Sequence, residues 1–164
     1  MQKSIASEYG RVNIKNINYK NLDDKYSPIQ LDIEFDIASF ATTQDNEFLI
    51  TKQYSFNLVN EYASVSANER KYPVVIEDGY LFSRTLTFHM PSGYQWQSRT
   101  LQNASVNTRF GNYSRDIRIS GETLEIKEKI QILPQYIELS DYRDFRDFCL
   151  AIDNAQRIEL HAIK

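Results

Sequence analysis

One cysteine, Cys149, is the only thiol among the 164 residues, which excludes an internal disulfide and any cysteine-based metal cluster. Histidine is almost as scarce. His89 and His161 stand far apart and form neither a zinc-ligand spacing nor a triad. Five glycines and four prolines leave no phosphate-binding glycine loop, no Pro/Gly-rich linker and no low-complexity tract. The 19 Lys and Arg are mixed with 22 Asp and Glu along the chain, so no basic run exists to track a phosphate backbone. Nucleic acid is therefore not an expected partner. No basic amphipathic stretch suggests a membrane surface, and no apolar run approaches the ~20 residues of a membrane span, so direct membrane insertion is not expected. The opening Met1-Gln2-Lys3-Ser4 leads into polar sequence without the hydrophobic core of an export signal. The expectation is either a cytoplasmic protein or a piece of an exported one whose signal lies upstream.

What the chain does have is aromatic side chains: eleven Tyr and nine Phe bring the aromatic fraction to 13%. These residues suit pleated, half-buried surfaces and favour β structure. A chain of this size buries roughly 70% of its extended surface on folding, so it can build a core without metals or disulfides.

Leu31-Asp32-Ile33-Glu34-Phe35-Asp36-Ile37 alternates strictly between apolar and acidic residues, which specifies a strand with one buried face. The same period of two recurs in Tyr54, Phe56 and Leu58. It returns in Phe82, Leu86, Phe88 and Met90, and again in Leu124, Ile126, Ile130 and Ile132. Weaker strands are predicted at Arg11 to Tyr19, Glu47 to Lys52, Ser105 to Phe110 and Ser114 to Ser120. Turn-forming residues punctuate them at Glu77-Asp78-Gly79, Pro91-Ser92-Gly93 and Ser120-Gly121-Glu122. From Ser140 to Ala155 the spacing changes. Tyr142, Phe145, Phe148, Cys149 and Ile152 fall at threes and fours, the stripe of one amphipathic helix, with Ser140 as N-cap. A final strand is predicted from Arg157 to Ile163. The expected fold is mainly β: an antiparallel β-sandwich, immunoglobulin-like or related, with one C-terminal α-helix followed by a short final strand. Residues 1–164 are taken as a single domain.

Candidate chemistry is thin. Cys149 and His161 are the obvious nucleophile and base. Cys149, however, lies on the apolar helix stripe, where a free cysteine behaves as a small core hydrophobe. His89 falls on the polar side of its strand, and His161 is expected to face solvent beside Glu159. Asp32, Glu34 and Asp36 line one strand face, but two-residue steps place them about 6.6 Å apart. Pairing with cross-strand Lys and Arg suits that row better than a calcium site, whose ligands gather on a turning loop. Asn103-Ala104-Ser105 and Asn112-Tyr113-Ser114 match the short glycosylation sequon. Tyr94 and Trp96 form the candidate interaction surface: either an aromatic binding platform or, for Trp96, a core tryptophan. No catalytic residue, cofactor-binding residue or metal ligand is expected, and no cofactor.

The second half resembles the C-terminal β-sandwich domain of bacterial multidomain transglutaminase-like envelope proteins. The stretches that carry the resemblance are Glu69-Arg70-Lys71-Tyr72-Pro73-Val74, Met90-Pro91-Ser92-Gly93-Tyr94 and Tyr142-Arg143-Asp144-Phe145-Arg146-Asp147-Phe148, the last leading into Ile152-Asp153-Asn154-Ala155. It extends from about residue 60 to the end and departs at Met90, where the family usually has leucine. The resemblance implies an upstream cysteine-protease-fold module that carries the catalytic Cys, His and Asp, with Cys149 playing no such part. It also implies an exported parent, in the periplasm or on the cell surface. The domain would then be a non-catalytic accessory, partnered by the upstream module of its own chain or by a protein ligand. The alternative is a freestanding module that binds glycan or peptide through exposed aromatics such as Trp96.

Overall fold

The computed structural model describes residues 12–38, 40–50, 56–97 and 101–164. The chain divides into two compact units, 1–42 and 43–164.

The first unit is a two-stranded antiparallel ribbon of β1 (Val12–Lys20) and β2 (Gln30–Ile37). Val12, Ile14, Ile17 and Tyr19 stand opposite Ile37, Phe35, Ile33 and Leu31, so every apolar pair shares one face. The register shifts between Ile14 and Asn16, a bulge at Lys15 that keeps Ile14 and Ile17 on that face although they are three residues apart. The opposite face is wet. There Lys15 pairs with Asp36 and Lys20 with Asp32, each at 2.9 Å, so two of the three acidic residues of β2 have the cross-strand lysines expected of them.

The second unit holds the core. Its main sheet runs in the order β6 (Tyr80–His89), β10 (Thr123–Ile132), β9 (Gly111–Ser120) and β8 (Ala104–Thr108). All neighbours are antiparallel and in continuous register. The β9–β10 hairpin turns through Gly121 and Glu122, with Gly121 at φ +57°. A second four-stranded sheet runs β3 (Thr42–Gln44), β4 (Glu47–Ile50), β12 (Leu160–Ile163) and β7 (Gln95–Trp96). The Phe88 ring of β6 meets the Trp96 ring of β7 edge-on at 6.1 Å, which joins the two sheets. Beside the main sheet lies a short ribbon of β5 (Val74–Ile76) and β11 (Gln135–Ile137).

Two helices complete the unit: α1 (Leu58–Tyr62) and α2 (Tyr142–Gln156). The stripe Tyr142, Phe145, Phe148, Cys149 and Ile152 is buried as its spacing predicts. Phe110, at the β8–β9 turn, packs against both Phe145 and Phe148, at 5.4 and 6.0 Å between ring centres. Tyr113, Ile130 and Ile132 of the sheet, Ile76 and Ile137 of the short ribbon, and Leu58 of α1 close the same core. The chain is thus mainly β with antiparallel sheets, and its C-terminal helix is followed by a final strand, as predicted.

Several boundaries differ from the sequence pattern. Leu58, read as the end of a strand through Tyr54 and Phe56, opens α1 instead; Tyr54 of that predicted strand, and the end of the strand predicted from Glu47 to Lys52, lie outside the described residues. The reason is long-range: both carboxylate oxygens of Asp153 accept the amides at the start of α1, Leu58 N at 2.8 Å and Val59 N at 3.0 Å. Ser140 is not the N-cap of α2. A turn from Glu138 to Asp141 precedes the helix, and Asp141 takes that position without a side-chain cap bond. The last strand begins at Leu160 because Arg157 N still bonds Asn154 O and closes the helix.

Candidate functional site

The inner face of the main sheet is set by residues of even phase on β10: Leu124, Ile126, Glu128, Ile130 and Ile132. Glu128 sits in the middle of this buried row, and the register places Arg84 on one side and Arg115 on the other. One oxygen, Glu128 Oε2, accepts from Arg84 Nε at 2.6 Å and lies 2.5 Å from Arg84 Nη2. The other, Oε1, accepts from the Tyr113 hydroxyl at 2.7 Å. Burial, reinforced by that bond to a carboxylate, pushes the Tyr113 phenol well above the usual tyrosine range. Arg115 instead donates to the carbonyl oxygens of Gln102 and Ala155. Ala155 lies in the last turn of α2, where a cation also meets the favourable end of the helix dipole. This network joins three strands and a helix and is largely buried, with Glu128 and Arg115 the most enclosed. Sequence reasoning missed it, although Arg84, Arg115 and Glu128 each interrupt an apolar alternation in phase, which is a readable signal of buried charge.

Tyr94 and Trp96 lie where the turn after β6 meets the β9–β10 hairpin. Trp96 is only 7% exposed, and its Nε1 donates to Glu122 O at 3.0 Å. It is a core tryptophan by position and not an open platform. Tyr94 is half-buried and packs edge-on against Phe48 at 4.6 Å. Together with Gln95, Ile119, Gly121 and Glu122 the two aromatics line a cleft of about 340 Å³. Glu122 organises its rim: its carbonyl also accepts from Met90 N at 3.0 Å, and its carboxylate accepts from Gly93 N at 3.3 Å. The cleft offers an aromatic wall, an exposed amide and a carboxylate, chemistry that suits a hydroxyl-rich or peptide ligand. A second concavity of about 380 Å³ lies across the main sheet, lined by Ser83, Thr85, Ser114, Asp116, Lys127 and Lys129 among others. Register puts those six on the face opposite the core.

The remaining candidates are not among the residues that line this cleft. Cys149 is fully buried in the helix core, where desolvation first and the charge of Asp153 second push its thiol up to about 12. His161 lies on β12 opposite Leu49, half-buried, with Nε2 3.4 Å from Glu159. His89 is exposed and contacts the Thr123 hydroxyl at 3.1 Å. Of the sequon asparagines, Asn103 accepts from Ile117 N at 2.8 Å and Asn112 donates to Gln131 at 3.1 Å.

Residues 46–161 match the model of a family described as a domain of unknown function with a solved structure, DUF3858. No curated protein matches the chain. Among solved structures the chain is similar to a crystal structure described as a putative protease from Parabacteroides distasonis, at 19% identity with a TM-score of 0.55. The match covers 73% of this chain but only 24% of that one, so the likeness is one of fold, within a much longer protein.

Proposed function

Since the chain belongs to the DUF3858 family, we propose that it is a non-catalytic accessory domain of an exported, transglutaminase-like protein, supporting an upstream catalytic module or binding protein partners. The observation that carries the reading is the coverage: a similar fold forms 24% of a longer chain described as a putative protease. The burial of Cys149, with its thiol held protonated, supports a structural role for the one residue that resembles a nucleophile. Export to the periplasm or cell surface follows from the same reading.

A thiol-dependent acyl-transfer assay on a glutamine-containing peptide tests it. Turnover is expected in the parent protein, reduced when residues 43–164 are deleted, and absent in the isolated chain. Turnover by the isolated chain that is lost in Cys149→Ala would overturn the proposal.

The cleft beside Tyr94 favours a second reading, a glycan- or peptide-binding module. Trp96 is the only tryptophan and lines that cleft, so its fluorescence reports occupancy directly. Saturable change on adding short oligosaccharides or peptides would support this alternative, and an unchanged spectrum would remove it.

A further inference from the structure

The Tyr94 cleft is lined from both four-stranded sheets, by Ile119 and the β9–β10 hairpin on one side and by Gln95 and Trp96 on the other. Its apolar and polar parts are separate. Ile119 stands opposite Leu124 in the register, so both belong to the core-facing rows of the main sheet. Leu124 is fully buried, whereas Ile119 is 42% exposed, an apolar side chain of the core row left open in the cleft. The polar part is Glu122, which is exposed but fixed through its backbone carbonyl, the acceptor for Trp96 Nε1 and Met90 N. One carboxylate oxygen, Oε1, accepts from Gly93 N at 3.3 Å. The other, Oε2, has neither a hydrogen-bond donor nor a cation among the described residues. Lys164 comes near, since its Cε would lie 4.0 Å from a side chain placed at Gly93, but it does not line the cleft.

We propose that this cleft binds a primary ammonium group on a flexible apolar stem, the chemistry of a lysine side chain. The inference deepens the binding-module reading of the cleft and rests on it. Four features choose this ligand. A long cationic side chain lays its methylene stem on apolar surface and keeps its charged head wet, which matches open Ile119 beside exposed Glu122. With one carboxylate oxygen already held by Gly93, a guanidinium could not be gripped at both oxygens, whereas a compact ammonium needs only one. The rings of Tyr94 and Trp96 add aromatic surface that favours a cation. The volume of about 340 Å³ is near the lower limit of small-molecule sites and suits one side chain better than a run of sugar rings.

Proton–nitrogen NMR of the 164-residue chain tests the assignment, with Nα-acetyl-lysine methylamide, its Nε-acetylated form and n-butylammonium chloride as probes. The lysine amide is expected to shift the Trp96 indole signal and the Gly93 and Gly121 amide signals saturably. Acetylating the probe at Nε, or changing Glu122→Gln in the protein, should weaken that binding at least about threefold. Glutamine keeps an acceptor for Gly93 N, and unchanged signals from the α2 core show that the variant is folded. Butylammonium separates the two sources of the chemistry: weaker binding than the lysine amide identifies a lysine side chain, equal binding a free amine, and either satisfies the proposal. An Nε-acetylated probe that binds as tightly as the lysine amide would overturn it, as would a Glu122→Gln protein that binds the lysine amide unchanged. The reading beneath it fails separately. An uncharged oligosaccharide that shifts these signals while the lysine amide does not would overturn the ammonium proposal and leave the binding module standing. Signals unmoved by every probe would remove both.

Discussion

Replacing Glu128 with Gln keeps its shape and removes its charge at the centre of the buried network. The side chains of Glu128 and Arg84 are 4% and 12% exposed, so the Arg84 guanidinium would lose its carboxylate where water can replace it only in part. Breaking one side of a buried ion pair costs about 3–5 kcal/mol. The Tyr113 hydroxyl keeps an amide oxygen as acceptor, so its bond weakens without vanishing. Against a typical stability of about 5–15 kcal/mol the loss is roughly a fifth or more. With a urea slope of about 2 kcal/mol/M, the unfolding midpoint should fall by roughly 2 M. Equilibrium urea unfolding followed by circular dichroism reads this directly. The companion variant is the triple Arg84→Met, Glu128→Leu and Tyr113→Phe, which removes all three polar ends together. Apolar replacement of buried ion pairs is often neutral or stabilising, so the triple should lie within about 1.5 kcal/mol of the parent. A Glu128→Gln midpoint unchanged within error, or a triple variant as weak as the single, would refute the claim that desolvated charge dominates this row.

Other consequences follow from the same core. Phe145→Ala, at a fully buried side chain in contact with Phe110 and Phe148, should cost about 3–5 kcal/mol, whereas exposed Asp147→Ala should change stability by no more than about 0.5 kcal/mol, both read from urea melts. Asp153→Ala removes two bonds from the first amides of α1, one buried and one half-buried, and should cost about 2–3 kcal/mol, with hydrogen exchange at Leu58 and Val59 accelerating first. Cys149 should react with a thiol reagent slowly in the native protein and quickly in denaturant. Its pKa is raised from 9.0 to about 12 in the folded state, so the unfolded thiol ionises first; stability is full below pH 9 and declines between pH 9 and 12, and Cys149→Ala should flatten the early part of that decline in melts taken across the range.

The strands were legible where one face is buried and the other wet. Leu31 to Ile37 and Leu124 to Ile132 show their period of two in the sequence and form ladders that match it. The α2 stripe was equally plain, because Phe145, Phe148 and Ile152 must share a face at helical spacing. Elements held by distant partners were not legible. β5 and β11 are three residues each, too short for periodicity, and exist because Val75 and Tyr136 pair across sixty residues of chain. The start of α1 depends on Asp153, 95 residues away, so local alternation through Phe56 and Leu58 pointed to a strand. At the candidate cleft, the aromatic pair was visible, but burial of Trp96 depends on the carbonyl of Glu122 in another hairpin.

Differential scanning calorimetry of the parent protein, with and without residues 43–164, bears most directly on the accessory role. If this domain supports the upstream module, the transition of that module should move several degrees lower when 43–164 are removed, about 2–4 °C for each kcal/mol of lost interdomain contact in a module of 150–250 residues. A transition of the upstream module that superimposes in the two proteins would contradict the account.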